Sequence, residues 1–207
     1  MELAYLHPKY FKANEKVFDY LGIDKSTKYT IIRFVSWDAS HDIGQGGIYN
    51  DQKYKLVKEL LKYSRVLISS ESRLPDELLK YQIKIKPDQL HDVLKYASLY
   101  IGEGATTASE CAVLGIPAIY VNTLSAGTLE EQEKFGLIHS FRNYHGVIEK
   151  AIEILNNEDS NNIYQTLRDR MLREKIDVTA FIVWFIENYP ESVNIMKQNP
   201  EYQDRFK

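Results

Sequence analysis

The sequence predicts an α/β fold in which a mostly parallel sheet is flanked by helices. Three observations carry the prediction. Runs of β-branched and aromatic residues recur at strand length, helical patterns lie between them, and glycine-bearing turns join strand to helix.

The first run, residues 29–36, contains Tyr29, Ile31, Ile32, Phe34 and Val35 and predicts a buried strand. A polar stretch with Gly44, Gly46 and Gly47 follows, then a helix over 51–63 with Tyr54, Val57, Leu60 and Leu61 on one face. Residues 65–69 predict a second strand, and 75–81 a short helix with Pro75 near its first turn. Residues 83–85 alternate like the end of a strand. Over 87–97, Leu90, Val93, Leu94 and Ala97 recur at helical spacing. Residues 99–101 predict a third strand, and 106–114 a helix ended by Gly115 and Pro117. A fourth strand (118–121), a polar helix (129–135), a short strand (136–139) and an amphipathic helix (147–155) follow. A polar break then precedes helical residues 163–173. Strands joined by helices of this length pair in parallel.

From residue 177 the character changes. An apolar helix running to Tyr189 holds Phe181, Trp184 and Phe185 with almost no polar face, so it is either wedged between layers or covers a partner. Beyond it come Pro190, Pro200 and mostly polar residues. The expected organisation is an entry linker and first helix (1–28), a single Rossmann-like domain (29–176), and a C-terminal crossing helix and tail (177–207).

Composition narrows the function. With 207 residues the chain can build a sizeable core without staples. A formal net charge of -3, with basic and acidic residues interspersed, argues against nucleic acid as a partner. Cys111 is the single cysteine, which excludes an intrachain disulfide and fits a reducing, cytosolic compartment. The N-terminus lacks the pattern of a signal peptide. The longest apolar run, 180–186, falls far short of the ~20 residues of a transmembrane helix.

The most informative segment runs from Gly102 to Leu114. A strand ends in Gly102, Glu103 and Gly104, and a helix opens at Thr106 or Thr107, either of which can cap it. Glycines let backbone approach a ligand, and the free N–H groups of a helical first turn attract an anion. Glu110 lies about one turn further on, where a carboxylate suits sugar hydroxyls better than phosphates. An ordinary βα loop with a helix cap accounts for the spacing equally well.

The run Gly104, Ala105, Thr106, Thr107, Ser109 and Glu110, with Leu114, Gly115 and Pro117 closing the helix, resembles the donor-site motif of GT-B glycosyltransferases. It is especially similar to that of the MurG N-acetylglucosaminyltransferases of peptidoglycan synthesis. UDP-N-acetylglucosamine 2-epimerases carry a related motif. The resemblance covers 29–151 in element order and is specific over 85–121. Including the phrase from Arg33 to Asp42, the whole chain looks like the C-terminal part of an uncharacterised GT-B-like family.

The resemblance implies a nucleotide-sugar-binding domain of the GT-B C-terminal type, with a UDP-sugar as ligand, no cofactor and no metal. N–H groups near Ala105, Thr106 and Thr107 would meet the pyrophosphate, and Glu110 the ribose. Backbone around Ile85 and Lys86 would receive the uracil. The loop over 36–47, with Ser36, His41 and Gly46, would approach the diphosphate. That loop departs from the resembled pattern, for Trp37, Asp38, His41 and Asp42 replace a compact glycine run. Transfer in such enzymes is metal-independent and draws its acceptor and base from an N-terminal domain. Only a linker is expected before Tyr29 here, so the chain is expected to bind a nucleotide sugar without transferring it alone. A separate Rossmann domain or self-association would complete the cleft, and no catalytic residue is assigned. Two other functions fit the same residues: a 2-epimerase-like reaction, and a non-catalytic binding or assembly module.

Other polar residues have plainer readings. His41–Asp42 and His91–Asp92 raise a metal phosphohydrolase, but His91 falls on an amphipathic helix and His41 in a loop. Arg33 inside a strand needs a partner, and it either forms a structural ion pair, the favoured reading, or points toward the site. Glu103 reads as a turn residue, Cys111 as packing and Asp88 as a helix cap. Ser125, Thr128, Glu130 and Gln132 either read donor-sugar hydroxyls or form a polar loop capped by Thr128.

Overall fold

The computed structural model describes residues 3–37 and 44–207. Among them, β1 (Tyr29–Phe34), β2 (Arg65–Ser70), β3 (Leu99–Gly102), β4 (Ala118–Val121) and β5 (Ile138–Phe141) pair in parallel throughout. The strand order is β2-β1-β3-β4-β5. Because helices cover both faces, β3 and β4 are buried at every position, as parallel strands between two layers must be.

One layer holds α2 (Asn50–Leu60) and α6 (Val147–Asn156). Their Leu56, Val57, Leu60, Ala151 and Ile154 meet Ile32, Phe34, Ile68, Ile101 and Val121 from the sheet. The other holds α1 (Val17–Leu21), α3 (Leu90–Lys95), α4 (Ala105–Leu114), α5 (Gly127–Lys134) and α7 (Ser160–Glu174). It closes over Tyr29, Ile31, Leu67, Tyr100, Tyr120 and Ile138. The chain is thus a single α/β Rossmann-like domain with a five-stranded, all-parallel sheet.

Several local expectations shift. In α2 the buried face is Lys53, Leu56, Val57 and Leu60, while Tyr54 and Leu61 point outward. Lys53 tolerates burial because its ammonium lies 4.5 Å from the Phe34 ring centroid. Residues 83–85 make no strand; Gln82 contributes an isolated bridge to Ile68. The segment over 87–97 starts as a 3₁₀ turn, Pro87–Gln89, before α3. Asp88 does not cap it; instead Gln89 Oε1 accepts from the Lys86 N–H at 3.1 Å. The last strand begins two residues later than its hydrophobic pattern indicates. Gly136 (φ 77°) ends α5, with its own N–H bonded to Glu133 and the Leu137 N–H to Gln132. Thr128 is no cap either, since α5 opens at Gly127 behind Ala126.

The region beyond 177 is folded. In α8 (Val178–Glu187), Phe181, Trp184 and Phe185 form an aromatic cluster with Tyr202 and Phe206 of the terminal 3₁₀ segment. Trp184 stacks on Tyr202 at 4.6 Å. The polar tail therefore returns as α9 (Glu191–Gln198) and Pro200–Phe206 to cover one side of α8, leaving Ile182, Val183 and Ile186 exposed on the other. No helix among the described residues is long and apolar enough to cross a membrane.

His139 on β5 bonds the Tyr164 hydroxyl at 2.7 Å, and burial, aided by Lys150, holds its pKa below the usual 6.5. A histidine whose folded pKa is depressed leaves the unfolded chain binding more protons, so stability falls as pH drops through 6.5. Urea unfolding at pH 7.5 and 5.5 should show His139→Gln losing less stability than the parent over this interval. Equal losses would remove His139 from the account.

Candidate functional site

Strand order locates the crevice. From β1 the chain goes outward to β2, then returns to place β3, β4 and β5 on the other side of β1. The loops after β1 and β3 therefore diverge at a topological switch point, where open α/β sheets bind ligands.

Glu103 builds the floor of this crevice. It is 1% exposed, so it is no surface turn residue. Oε2 accepts from the Val35 N–H at 3.0 Å and Oε1 from the Ile48 N–H at 2.7 Å. Burial raises its pKa, and the two backbone donors, with Lys53 nearby, oppose that rise. The carboxylate pins both ends of the loop after β1 to the end of β3. Gly47 is required at the contact, because a Cβ there would lie 2.5 Å from Glu103 Oε1 and 2.6 Å from Trp37 Cζ2. Trp37 itself adopts φ 61°, a left-handed conformation that costs a non-glycine residue roughly 1 kcal/mol or more.

The loop after β4 joins the same frame. Asn122 Nδ2 donates to the Glu103 carbonyl at 2.9 Å, and its Oδ1 accepts from the Leu124 N–H at 2.9 Å. The Gly46 N–H donates to Thr123 Oγ1 at 3.1 Å, and the Thr123 N–H to the Gly46 carbonyl at 3.2 Å. Arg33 lies beside this frame in the expected ion pair, 2.8 Å from Glu71, with a second bond to Ser69.

Above the floor, α4 starts at Ala105. Its N-cap is Gly104, not Thr106 or Thr107; among the described residues no side chain caps the helix, and its first turn holds no acid. The N–H groups of its first turn carry the positive end of the helix dipole, which favours an anion. Gly104 and Ala105 are half-buried, Thr106 exposed and Thr107 buried.

One turn on, Glu110 is 7% exposed. Its Oε1 lies 3.0 Å from His91 Nε2 and accepts from the Tyr5 hydroxyl at 3.2 Å. Ile85 is half-buried against the core and Lys86 exposed, just before the turn that leads to His91. The half-buried Ser36 faces Glu71 through its N–H at 3.4 Å. The structure therefore brings Ser36, Gly46 and Gly104 to Thr107 around one sheet end, with Glu110 a turn behind. His41, with Asp38 and Asp42, lies outside the described residues.

Glu103, Asn122, Thr123, Tyr5 and His91 join this site beyond the residues singled out for binding. Glu103 and Asn122 had a sequence signal, for each directly follows a strand at its carboxyl end. Ser125 bonds Glu130, and Gln132 Nε2 reaches the Ser109 carbonyl at 3.4 Å, while Gln132 Oε1 is buried without a hydrogen-bond partner among the described residues. A cavity of about 430 Å³ opens on the flank of α4 and α5, lined by Leu3, Ser109, Thr128, Gln132, Phe135 and Met171; no residue of the crevice lines it.

Fold and crevice together define a Rossmann-like domain with its candidate site at the carboxyl ends of β1, β3 and β4. The chain belongs to the family described as Protein of unknown function (DUF354), which matches residues 2–191. No curated protein matches it. Solved structures similar to it include a protein assigned as a UDP-N-acetylglucosamine 2-epimerase from Listeria monocytogenes (13% identity, TM-score 0.49, 81% of this chain and 48% of that one). The UDP-GlcNAc 2-epimerase of Methanocaldococcus jannaschii, solved with UDP-GlcNAc and UDP, is similar at 13% identity and TM-score 0.47 over 76% of this chain and 49% of that one. The glycosyltransferase SsfS6 of Streptomyces sp. SF2575, complexed with thymidine diphosphate, is similar at 13% identity and TM-score 0.49, over 76% and 41%. The chain spans about half the length of these proteins or less.

Proposed function

We propose that this domain binds a UDP-sugar and serves as the donor-side unit of a glycosyltransferase of the GT-B kind. The observation that carries the reading is the N-terminus of α4, capped by no side chain among the described residues and opening at the β1/β3 switch point with Glu110 one turn behind it. The pyrophosphate would take the N–H groups of Ala105, Thr106 and Thr107, beside Gly46 and Ser36. The ribose would take Glu110, and the uracil the backbone at Ile85 and Lys86. In transfer, negative charge builds on the departing diphosphate, and fixed backbone dipoles stabilise it without reorganising. Acceptor and base would come from a partner domain that completes the cleft.

Calorimetry with UDP tests the reading. Glu110→Gln keeps an oxygen for His91 and Tyr5 but removes the charge toward the ribose. A hydrogen bond to a charged group is worth about 1.5–3 kcal/mol, so affinity should fall at least ~10-fold with the melting temperature unchanged. A parent chain that binds no UDP at millimolar concentration would reject the proposal.

A further inference from the structure

We propose that the ribose subsite is preset by His91 and shielded by Tyr5, so that a ribonucleotide enters by taking the place of the Tyr5 hydroxyl on Glu110. The inference rests on the reading of Glu110 as the ribose ligand and adds two residues to it.

Three elements distant in sequence meet at one oxygen. Tyr5 comes from the 3₁₀ turn Ala4–Leu6, His91 from α3, and Glu110 from α4, and both contacts fall on Oε1. Two rings pack on His91: the Tyr5 ring lies 5.8 Å from its centroid, and Phe11 meets it edge-on at 6.1 Å. An imidazole packed in this way fixes the carboxylate rotamer, and a preset acceptor binds a diol without first losing side-chain freedom.

Tyr5 acts in the opposite sense. It is 51% exposed, and its hydroxyl holds an acceptor position at 3.2 Å on a carboxylate that is almost wholly buried. A phenol on this carboxylate is chemically what a ribose hydroxyl would be: a neutral O–H donor. Vicinal ribose hydroxyls offer two such donors to the two carboxylate oxygens, so exchange favours the ribonucleotide, and a 2′-deoxynucleotide gains less. With the Tyr5 hydroxyl on Glu110, the subsite is occupied by a weak internal mimic. His91 is thus a positioning residue, and Tyr5 a specificity-determining competitor.

The experiment is calorimetry of UDP and 2′-deoxy-UDP on the full chain and on Tyr5→Phe, His91→Ala, His91→Gln and Glu110→Gln. Tyr5→Phe, which keeps the ring against His91, should bind UDP about three- to tenfold more tightly. His91→Ala should bind UDP about tenfold more weakly and lose most of its preference over 2′-deoxy-UDP, and His91→Gln, which restores an N–H donor, should recover most of both. A merely structural His91 would change stability and leave the UDP to 2′-deoxy-UDP ratio alone, which would overturn the inference. UDP binding lost in Glu110→Gln but unmoved in Tyr5→Phe and His91→Ala would overturn it while leaving the proposed function standing. UDP affinity unaffected by Glu110→Gln would overturn both.

Discussion

Gly104→Asp is expected to fold at least as stably as the parent chain and to lose UDP roughly a hundredfold. The two effects share one cause. Gly104 is the N-cap of α4 with extended backbone (φ -94°, ψ 122°), and among the described residues a Cβ there would touch only Val35 Cγ1, at an ordinary 3.6 Å. Aspartate is among the best N-caps, and its charge suits the positive end of the helix dipole, so the helix gains a few tenths of a kcal/mol. The same carboxylate would occupy the N–H groups of Thr106 or Thr107 that are proposed to meet the diphosphate, and would repel it. Two charge-assisted bonds at about 1.5–3 kcal/mol each, with ~1.4 kcal/mol per factor of ten, make a hundredfold loss a restrained figure. Gly104→Asn caps without charge and should fall between the two. Thermal melts and calorimetry on the three proteins decide the matter. UDP binding that survives in Gly104→Asp would put the diphosphate elsewhere.

Gly102→Ala should have the opposite signature, a broad loss of stability. The added methyl would lie 2.1 Å from the Tyr100 hydroxyl oxygen and 2.5 Å from Cζ. Tyr100 is fully buried beneath α4, where desolvation drives its pKa well above the ordinary value, and it has no solvent side to retreat into. Overpacking of this kind costs about 3 kcal/mol. Urea denaturation gives the number. Gly127→Ala is the matched control, since among the described residues a methyl there meets no heavy atom within 4 Å. A loss under about 1 kcal/mol at Gly102 would mean that the β3–α4 junction yields.

These two glycines mark how far sequence reading reached. The β-branched runs identified β1 to β4 almost to the residue, because buried parallel strands have few alternatives to continuous apolar sequence. Helix faces were less legible. Tyr54 and Leu61 are apolar yet exposed, while Lys53 is charged yet buried, because an aromatic ring on β1 receives it. The start of β5 was displaced by Gly136, whose left-handed turn belongs to the helix before it. At the candidate site, Gly104 to Glu110 stood out as a contiguous motif. Glu103 was invisible as a clamp because its partners at Val35 and Ile48 are backbone groups, which no sequence pattern encodes. Tyr5 and His91 were hidden for a related reason, since they reach Glu110 across 105 and 19 residues of chain respectively.

The Glu103 clamp has a bearing on how this family can change. Joining the two ends of a loop carries an entropic cost that grows only with the logarithm of its length, about 0.6 kcal/mol per doubling. Here the ends are already tied, at Val35 and Ile48, by one buried side chain that belongs to neither end. The intervening stretch can then be lengthened or rewritten at little thermodynamic expense, and the strand ends beneath it keep their register. A fixed mount with an exchangeable insert would let the loop change without renegotiating the fold.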